Sequence, residues 1–72
     1  MTEKERLEVI KHSYEVLQGL AKEVAEKISD AQDGIKEDNR DLIMGSLYGL
    51  DEAAERIKNV YAVMMFLHQR SR

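Results

Sequence analysis

The chain contains no cysteine and no proline, and its only aromatic residues are one phenylalanine and three tyrosines. Without cysteine it can form neither disulfides nor thiolate metal sites. Without proline, nothing interrupts a long helix at a fixed point. Few aromatic residues and a charged fraction of 35% favour a helical protein over a β-sheet core. At 72 residues the core is small, so stability depends on well-packed helices or on self-association.

Long apolar runs and strong net charge are also missing. The longest apolar run, Val60 to Leu67, has eight residues, whereas a membrane span needs about 20. The first ten residues alternate acidic and basic side chains and lack the apolar segment of a signal peptide. A net charge of −3 disfavours nucleic-acid binding, although Arg70 and Arg72 lie in an acid-free tail. We predict a cytoplasmic protein without cofactor, metal or nucleic-acid partner.

Apolar residues recur at alternating steps of three and four in two segments, which predicts two amphipathic helices. In the first segment they are Leu7, Ile10, Tyr14, Leu17, Ala21, Val24, Ile28, Ala31 and Ile35. In the second they are Ile43, Leu47, Leu50, Ala54, Ile57, Tyr61 and Met64, and His68 stands at the next step. We predict an all-α fold, with helices over about 3–33 and 39–69 paired as an antiparallel hairpin in one domain, 1–72.

The ends of these helices carry capping signals. Thr2 followed by Glu5 has the spacing of a capping box, in which each side chain bonds to the other residue's backbone N–H. Gly34 is predicted to end the first helix in the left-handed conformation. Asp38 is predicted to be the N-cap of the second helix.

The predicted seam leaves other apolar residues without a partner. Val9 and Val16 of the first helix lie off the seam, and so do most members of the late apolar run of the second helix. An antiparallel hairpin brings both groups to its open end, opposite the turn. Burying one such side chain contributes about 1.5–3 kcal/mol, so we expect a homodimeric four-helix bundle or a higher oligomer.

Three small residues, Gly45, Gly49 and Ala53, follow one another at a spacing of four. Such a row allows another helix to approach closely. The alternative interpretation is a kink, a hinge or a tolerated exposed glycine. The complete predicted interface comprises Val9, Val16, Val60, Val63, Met64, Met65, Phe66, Leu67, Gly45 and Gly49.

No combination of nucleophile and base, and no phosphate-binding glycine loop, can be assembled from this sequence. Two ExxE pairs, Glu23 with Glu26 and Glu52 with Glu55, resemble the motifs of MazG-type nucleotide pyrophosphohydrolases. That resemblance implies carboxylates that hold magnesium inside a four-helix bundle. The heptad pattern instead places these four side chains on the outside, where they cannot face one another across a cavity. We therefore predict that the protein is not an enzyme.

In general form the predicted bundle is similar to Rop-like dimers, a likeness that implies a homodimer. It is also similar to the small helical-hairpin co-chaperones of type III secretion needle proteins, which implies a subunit that holds a larger helical chaperone. We predict a protein–protein interaction module that pairs with itself and docks another protein, as a regulator, inhibitor or adaptor. A co-chaperone-like subunit of a hetero-complex is the alternative.

Overall fold

The computed structural model describes residues 1–70. Three helices occupy that range: α1 (Glu3–Lys36), α2 (Arg40–Ser46) and α3 (Leu50–Arg70). α1 packs against both α2 and α3, which together form the second arm of a hairpin. The predicted all-α hairpin is therefore confirmed, while the predicted second helix consists of two helices.

Contacts at the two ends of the hairpin define its direction and register. At the open end, the guanidinium of Arg6 donates to the backbone carbonyl of Arg70 at 3.3 Å. Near the turn, Gly34 lies against the backbone of Ile43. A step forward along α1 thus corresponds to a nearly equal step back along the second arm, and the two arms are antiparallel.

α1 begins with the capping box predicted from the sequence. The Thr2 hydroxyl accepts from the Glu5 backbone N–H, and the Glu5 carboxylate accepts from the Thr2 backbone N–H, both at 3.1 Å. These bonds satisfy two of the N–H groups that a helix start leaves without a partner. The bond from the Thr2 backbone, followed by the bond to its side chain, lowers the pKa of Glu5.

The predicted end of α1 at Gly34 is wrong, because the helix continues to Lys36. Asp38, with φ of 54°, takes the left-handed position instead. The N–H of Asp38 donates to the Ile35 carbonyl at 3.1 Å, and the N–H of Asn39 donates to the Gly34 carbonyl at 2.9 Å. This pair of bonds is a Schellman motif.

Gly34 serves packing rather than termination. It is buried, and a Cβ atom added to it would lie 2.8 Å from the backbone nitrogen of Ile43. The predicted N-cap at Asp38 is also corrected, by one residue. The side chain of Asn39 accepts from the Leu42 N–H at 3.1 Å and caps α2.

The second arm is interrupted at residues 47–49, between α2 and α3. Gly49 has φ of +84°, a conformation that costs glycine little and other residues much more. The ammonium of Lys27 donates to the Tyr48 carbonyl at 3.0 Å. This bond gives a partner to a carbonyl group that lies outside the helices.

Because of the interruption, the three small residues Gly45, Gly49 and Ala53 do not form the predicted row on one helix. Gly45 lies in α2 and Ala53 in α3, so the two no longer share one helical surface. A Cβ added to Gly45 would meet nothing within 4 Å. Ala53 instead is 3% exposed and belongs to the contact with α1. Gly49 therefore marks a break in the second arm rather than a close contact between helices.

The predicted seam has two rows of residues in each helix. The structure keeps one row and replaces the other by the row one residue earlier in the sequence. The least exposed residues of α1 are Arg6, Ile10, Ser13, Leu17, Leu20, Val24, Lys27, Ala31 and Gly34. In α3 they are Leu50, Ala53, Ile57, Val60, Met64 and Leu67, with Met65 half-buried beside them. Half of the predicted seam is therefore correct.

The other half of the predicted seam is exposed. Its members are Leu7, Tyr14, Ala21, Ile28 and Ile35 in α1, with Ala54, Tyr61 and His68 in α3. Two neighbouring heptad rows of α1 are apolar, but α1 packs through only one of them, together with the largely polar row of Arg6, Ser13, Leu20, Lys27 and Gly34. Small residues in the covered row, notably Gly34 and Ala53, allow the arms to approach closely and favour this row over the bulkier one.

The resulting hairpin is a rod two helices thick. It is 53 Å long, and its radius of gyration is 16.6 Å, against about 11 Å for a compact domain of this length. The buried hydrophobic side chains within residues 1–70 are Ala31, Ala53 and Leu67. The core of one hairpin is therefore thin.

Candidate protein interaction surface

The hairpin has two long faces, one on each side of the plane that contains both arms. Because the arms are antiparallel, a residue that directly follows a seam position lies on the same face in either arm. We call this face the heptad face. Its apolar residues next to the seam are Leu7, Tyr14, Ala21, Ile28, Ile35, Ala54 and Tyr61.

The heptad face exposes large apolar side chains along nearly the whole rod. The four bulky members in α1 are between 48% and 63% exposed, and Tyr61 of α3 is 56% exposed. In α1 they lie on one heptad row, in which Ala21 is the small central member, so they are aligned rather than scattered. Aligned exposed apolar side chains of this kind usually mark a binding site.

The heptad face contains a shallow pocket beside the apolar row. Ile10, Tyr14, Gln18 and Met64 line it, together with the stems of neighbouring charged residues. The Gln18 amide donates to the Tyr14 hydroxyl at 3.4 Å and holds the two side chains one turn apart. Met64, predicted to be an interface residue, lies in the seam and also lines this pocket, where its flexible side chain suits an adaptable contact.

The opposite face carries a second apolar surface, confined to the open end. Val9, Val16, Val63 and Phe66 are all exposed there, and we call these four residues the open-end patch. The hairpin register places Val63 between the levels of the two α1 valines. The Arg70 guanidinium lies over the Phe66 ring, 4.9 Å from its centroid. The structure thus brings together four of the ten predicted interface residues.

The remaining predicted interface residues lie elsewhere. Val60 is half-buried in the seam, and Leu67 is 8% exposed and part of the core. Met65 is half-buried on the side of the heptad face. Gly45 lies in α2, and Gly49 lies in the interruption of the second arm. The buried position of Leu67 leaves no apolar surface there for a partner to cover.

Near the interruption, the face that bears the open-end patch is charged. Glu23, Lys27, Glu52 and Arg56 line one groove. Arg56 forms an ion pair with Glu52 at 2.9 Å. Two carboxylates of the ExxE pairs therefore share the groove with two cations, which balance their charge. Over the described range, no three His, Cys, Asp or Glu side chains are grouped so that they could hold a metal ion.

The heptad face is the surface that sequence reasoning missed, because its residues were assigned to the seam within the chain. A signal was present in the sequence. In α1 the row of Leu7, Tyr14 and Ile28 and the row of Ile10, Leu17 and Val24 are both apolar, and Leu20 extends the apolar surface on the far side. A stripe wider than one partner helix predicts contact with a second one.

The hairpin exposes more surface than a compact protein of the same mass. The hairpin exposes 5801 Å², whereas a folded monomer of its mass of 8.3 kDa exposes about 4,600 Å². The surplus is roughly 1,200 Å². A specific interface of standard size covers about 800 Å² on each partner. The surplus is therefore large enough to supply one such interface.

No helix within residues 1–70 combines the length and the apolar character needed to cross a membrane. Comparisons of the chain with protein-family models, with curated proteins and with solved structures gave no match. Arg72 of the basic tail lies outside the described residues.

Proposed function

We propose that this protein is a non-enzymatic protein–protein interaction module that acts in the cytoplasm. A helical hairpin pairs with a second copy through the heptad face and forms a four-helix bundle. The open-end patch, on the opposite face, docks another protein. The observation that supports this proposal is the uncovered apolar row on the heptad face, which one hairpin cannot bury by itself.

The energy available from this face is large for so small a chain. Five bulky side chains are about half exposed. Burying the exposed half of each contributes about 4–7 kcal/mol per copy, which is comparable to the whole stability of many small domains. An identical chain is the simplest partner, because it is always present and offers the same surface.

A hetero-complex is the second candidate. The open-end patch and the heptad face lie on opposite sides of the rod, so one larger helical partner could cover the heptad face while the patch makes a separate contact. This arrangement would make the protein a co-chaperone-like subunit. It differs from the first proposal in one measurable respect, because the purified chain would then be monomeric.

Multi-angle light scattering tests the first proposal. We expect a mass twice that of the 8.3 kDa chain. Ile28→Asp places a charge in the middle of the apolar row, at a side chain that is 53% exposed in the hairpin, and should give a folded monomer. Ser29→Asp introduces the same charge at the next exposed position, outside the row, and should leave the mass unchanged.

A folded wild-type chain that elutes at the mass of one hairpin would exclude self-association and favour the hetero-complex. Circular dichroism of Ile28→Asp separates dissociation from unfolding. If the variant loses its helix content, the weaker substitution Ile28→Ser should still raise the dissociation constant by at least tenfold, since it removes most of the apolar surface at this position without adding a charge.

A further inference from the structure

We infer that the second copy lies antiparallel on the heptad face, with the two-fold axis perpendicular to the helices at the level of Ala21 and Ala54. This inference rests on the proposed dimerisation and specifies its geometry. Four observations carry it: the symmetry of the apolar rows, the match of residue sizes, the charges at the edge of the face, and the available area.

The apolar row of α1 is symmetric about its central residue. Tyr14 and Ile28 lie seven residues on either side of Ala21, and Leu7 and Ile35 lie fourteen on either side. A two-fold axis at Ala21 therefore lays the row of one copy on the reversed row of the other, so that every bulky residue has a bulky apolar partner.

α3 carries the same kind of row, in which Ala54 and Tyr61 lie seven residues apart. The hairpin register places Ala54 opposite Ala21, because Arg6 meets Arg70 at one end and Gly34 meets Ile43 near the other. One axis thus serves both arms, and the two alanines allow all four helices to approach closely at the centre.

The sizes of the residues distinguish this arrangement from the parallel alternative, in which α1 of one copy lies on α3 of the other. In the parallel case Tyr14 and Tyr61 of both copies would share one layer, giving four tyrosines together. In the antiparallel case Ile28 of one copy lies in the layer of Tyr14 and Tyr61 of the other, so the tyrosines of the two copies fall in separate layers. The second combination fills the layers more evenly.

The charges at the edge of the heptad face also favour the antiparallel arrangement. Asp51 and Lys58 follow the seam residues Leu50 and Ile57, and lie at nearly equal distances on either side of Ala54. Reversal about Ala54 brings Asp51 of each copy next to Lys58 of the other. In the parallel case the same two residues would face Ala25 and Gln18, which carry no charge.

The area is compatible with a second copy as the occupant. Counted over all its faces, the rod exposes roughly 1,200 Å² more than a compact monomer of its mass, and a stable interface takes about 800 Å² from each partner. Two antiparallel copies hold their open-end patches on opposite outer faces, separated by about 25 Å along the bundle axis. The dimer is then bivalent, with one docking surface in each half.

Because the chain lacks cysteine, single cysteine variants report the geometry directly. Ala21→Cys should form a disulfide-linked dimer under diamide oxidation, because position 21 meets its own copy at the axis. Leu7→Cys should not, since the two copies of position 7 lie about 42 Å apart by helical rise. A mixture of Leu7→Cys and Ile35→Cys should form the linked heterodimer.

Light scattering on the reduced variants keeps the two proposals separate. A monomeric mass would overturn the dimer itself. A dimeric mass with no disulfide in Ala21→Cys, but with one in a mixture of Ala21→Cys and Ala54→Cys, would overturn only the antiparallel geometry in favour of the parallel one. A disulfide in Leu7→Cys as abundant as in Ala21→Cys would also overturn the antiparallel geometry, because that geometry holds the two copies of position 7 far apart.

Discussion

Gly34 shows how one missing side chain sets the distance between two helices. Sequence patterns predict it as the left-handed end of a helix, the role in which glycine is most common. In the structure it lies inside α1, and the backbone of α2 occupies space that the Cβ atom of any other residue would need. Asp38 adopts the left-handed conformation in its place.

Two glycine-to-alanine variants should therefore change stability in opposite directions. Gly19→Ala fills open space on α1 and should stabilise the protein by up to about 1 kcal/mol, through helix propensity. Gly34→Ala gains the same propensity but puts a Cβ atom 2.8 Å from the Ile43 backbone nitrogen, and overpacking costs about 1–3 kcal/mol. Urea denaturation of both variants measures the difference.

We expect Gly34→Ala to be the less stable of the two by at least about 1 kcal/mol. Equal stabilisation in both variants would mean that the arms separate easily near the turn. In that case the close approach of α1 and α2 would not be what selects the seam.

At the level of single helices, the start of α1 was predictable because a capping box depends on residues three positions apart. The same local bonds make this helix end sensitive to acid. The pKa of Glu5 is lowered from its ordinary value of 4.5 by the bonds to Thr2. Its contribution to stability is therefore complete above that ordinary value and disappears as the pH falls through the lowered one.

Glu5→Gln should remove this pH dependence, because glutamine does not titrate. Its free energy of unfolding should be lower than that of the wild type at neutral pH, and the difference should shrink as the pH falls below 4.5. Thr2→Ser keeps the hydroxyl and serves as the control that preserves the cap. A difference of the same size at both pH values would show that the carboxylate charge does not take part.

The second arm illustrates a helix interruption that periodicity does not predict. The apolar pattern continues through residues 47–49, yet the chain leaves the helix there. Gly49 makes the conformation accessible, and Lys27 of α1 bonds to the Tyr48 carbonyl. The second of these factors is a contact between residues distant in the sequence, so the local pattern contains no trace of it.

At the level of the whole molecule, two apolar surfaces lie on opposite faces of one thin rod. The heptad face runs along its length, and the open-end patch occupies one end. The proposed function assigns them different partners, a second copy for the first and another protein for the second. The two roles should therefore be separable by mutation.

Val63→Asp provides this separation. Val63 is 48% exposed and belongs to the open-end patch, so the variant should keep the dimeric mass and the melting temperature of the wild type. Ile28→Asp, with the same charge on the heptad face, should dissociate. If Val63→Asp dissociates and Ile28→Asp does not, self-association uses the open-end patch, as the apolar run of the sequence first suggested.

Local spacing along the chain is enough to specify several features of this protein. Helical periodicity, the absence of proline and the Thr2–Glu5 spacing specify two helical arms, one helix start and the seam row that contains Ile10, Leu17 and Val24. These features depend on residues one or two turns apart, and such interactions are encoded by spacing alone.

Which of two neighbouring apolar rows pairs within the chain depends instead on the packing of the two arms. That choice depends on how closely the backbones approach at Gly34 and Ala53, which is a property of both arms together. It leaves the row of Leu7, Tyr14 and Ile28 exposed rather than buried. The surface on which the proposed function rests follows from this one-residue difference in packing.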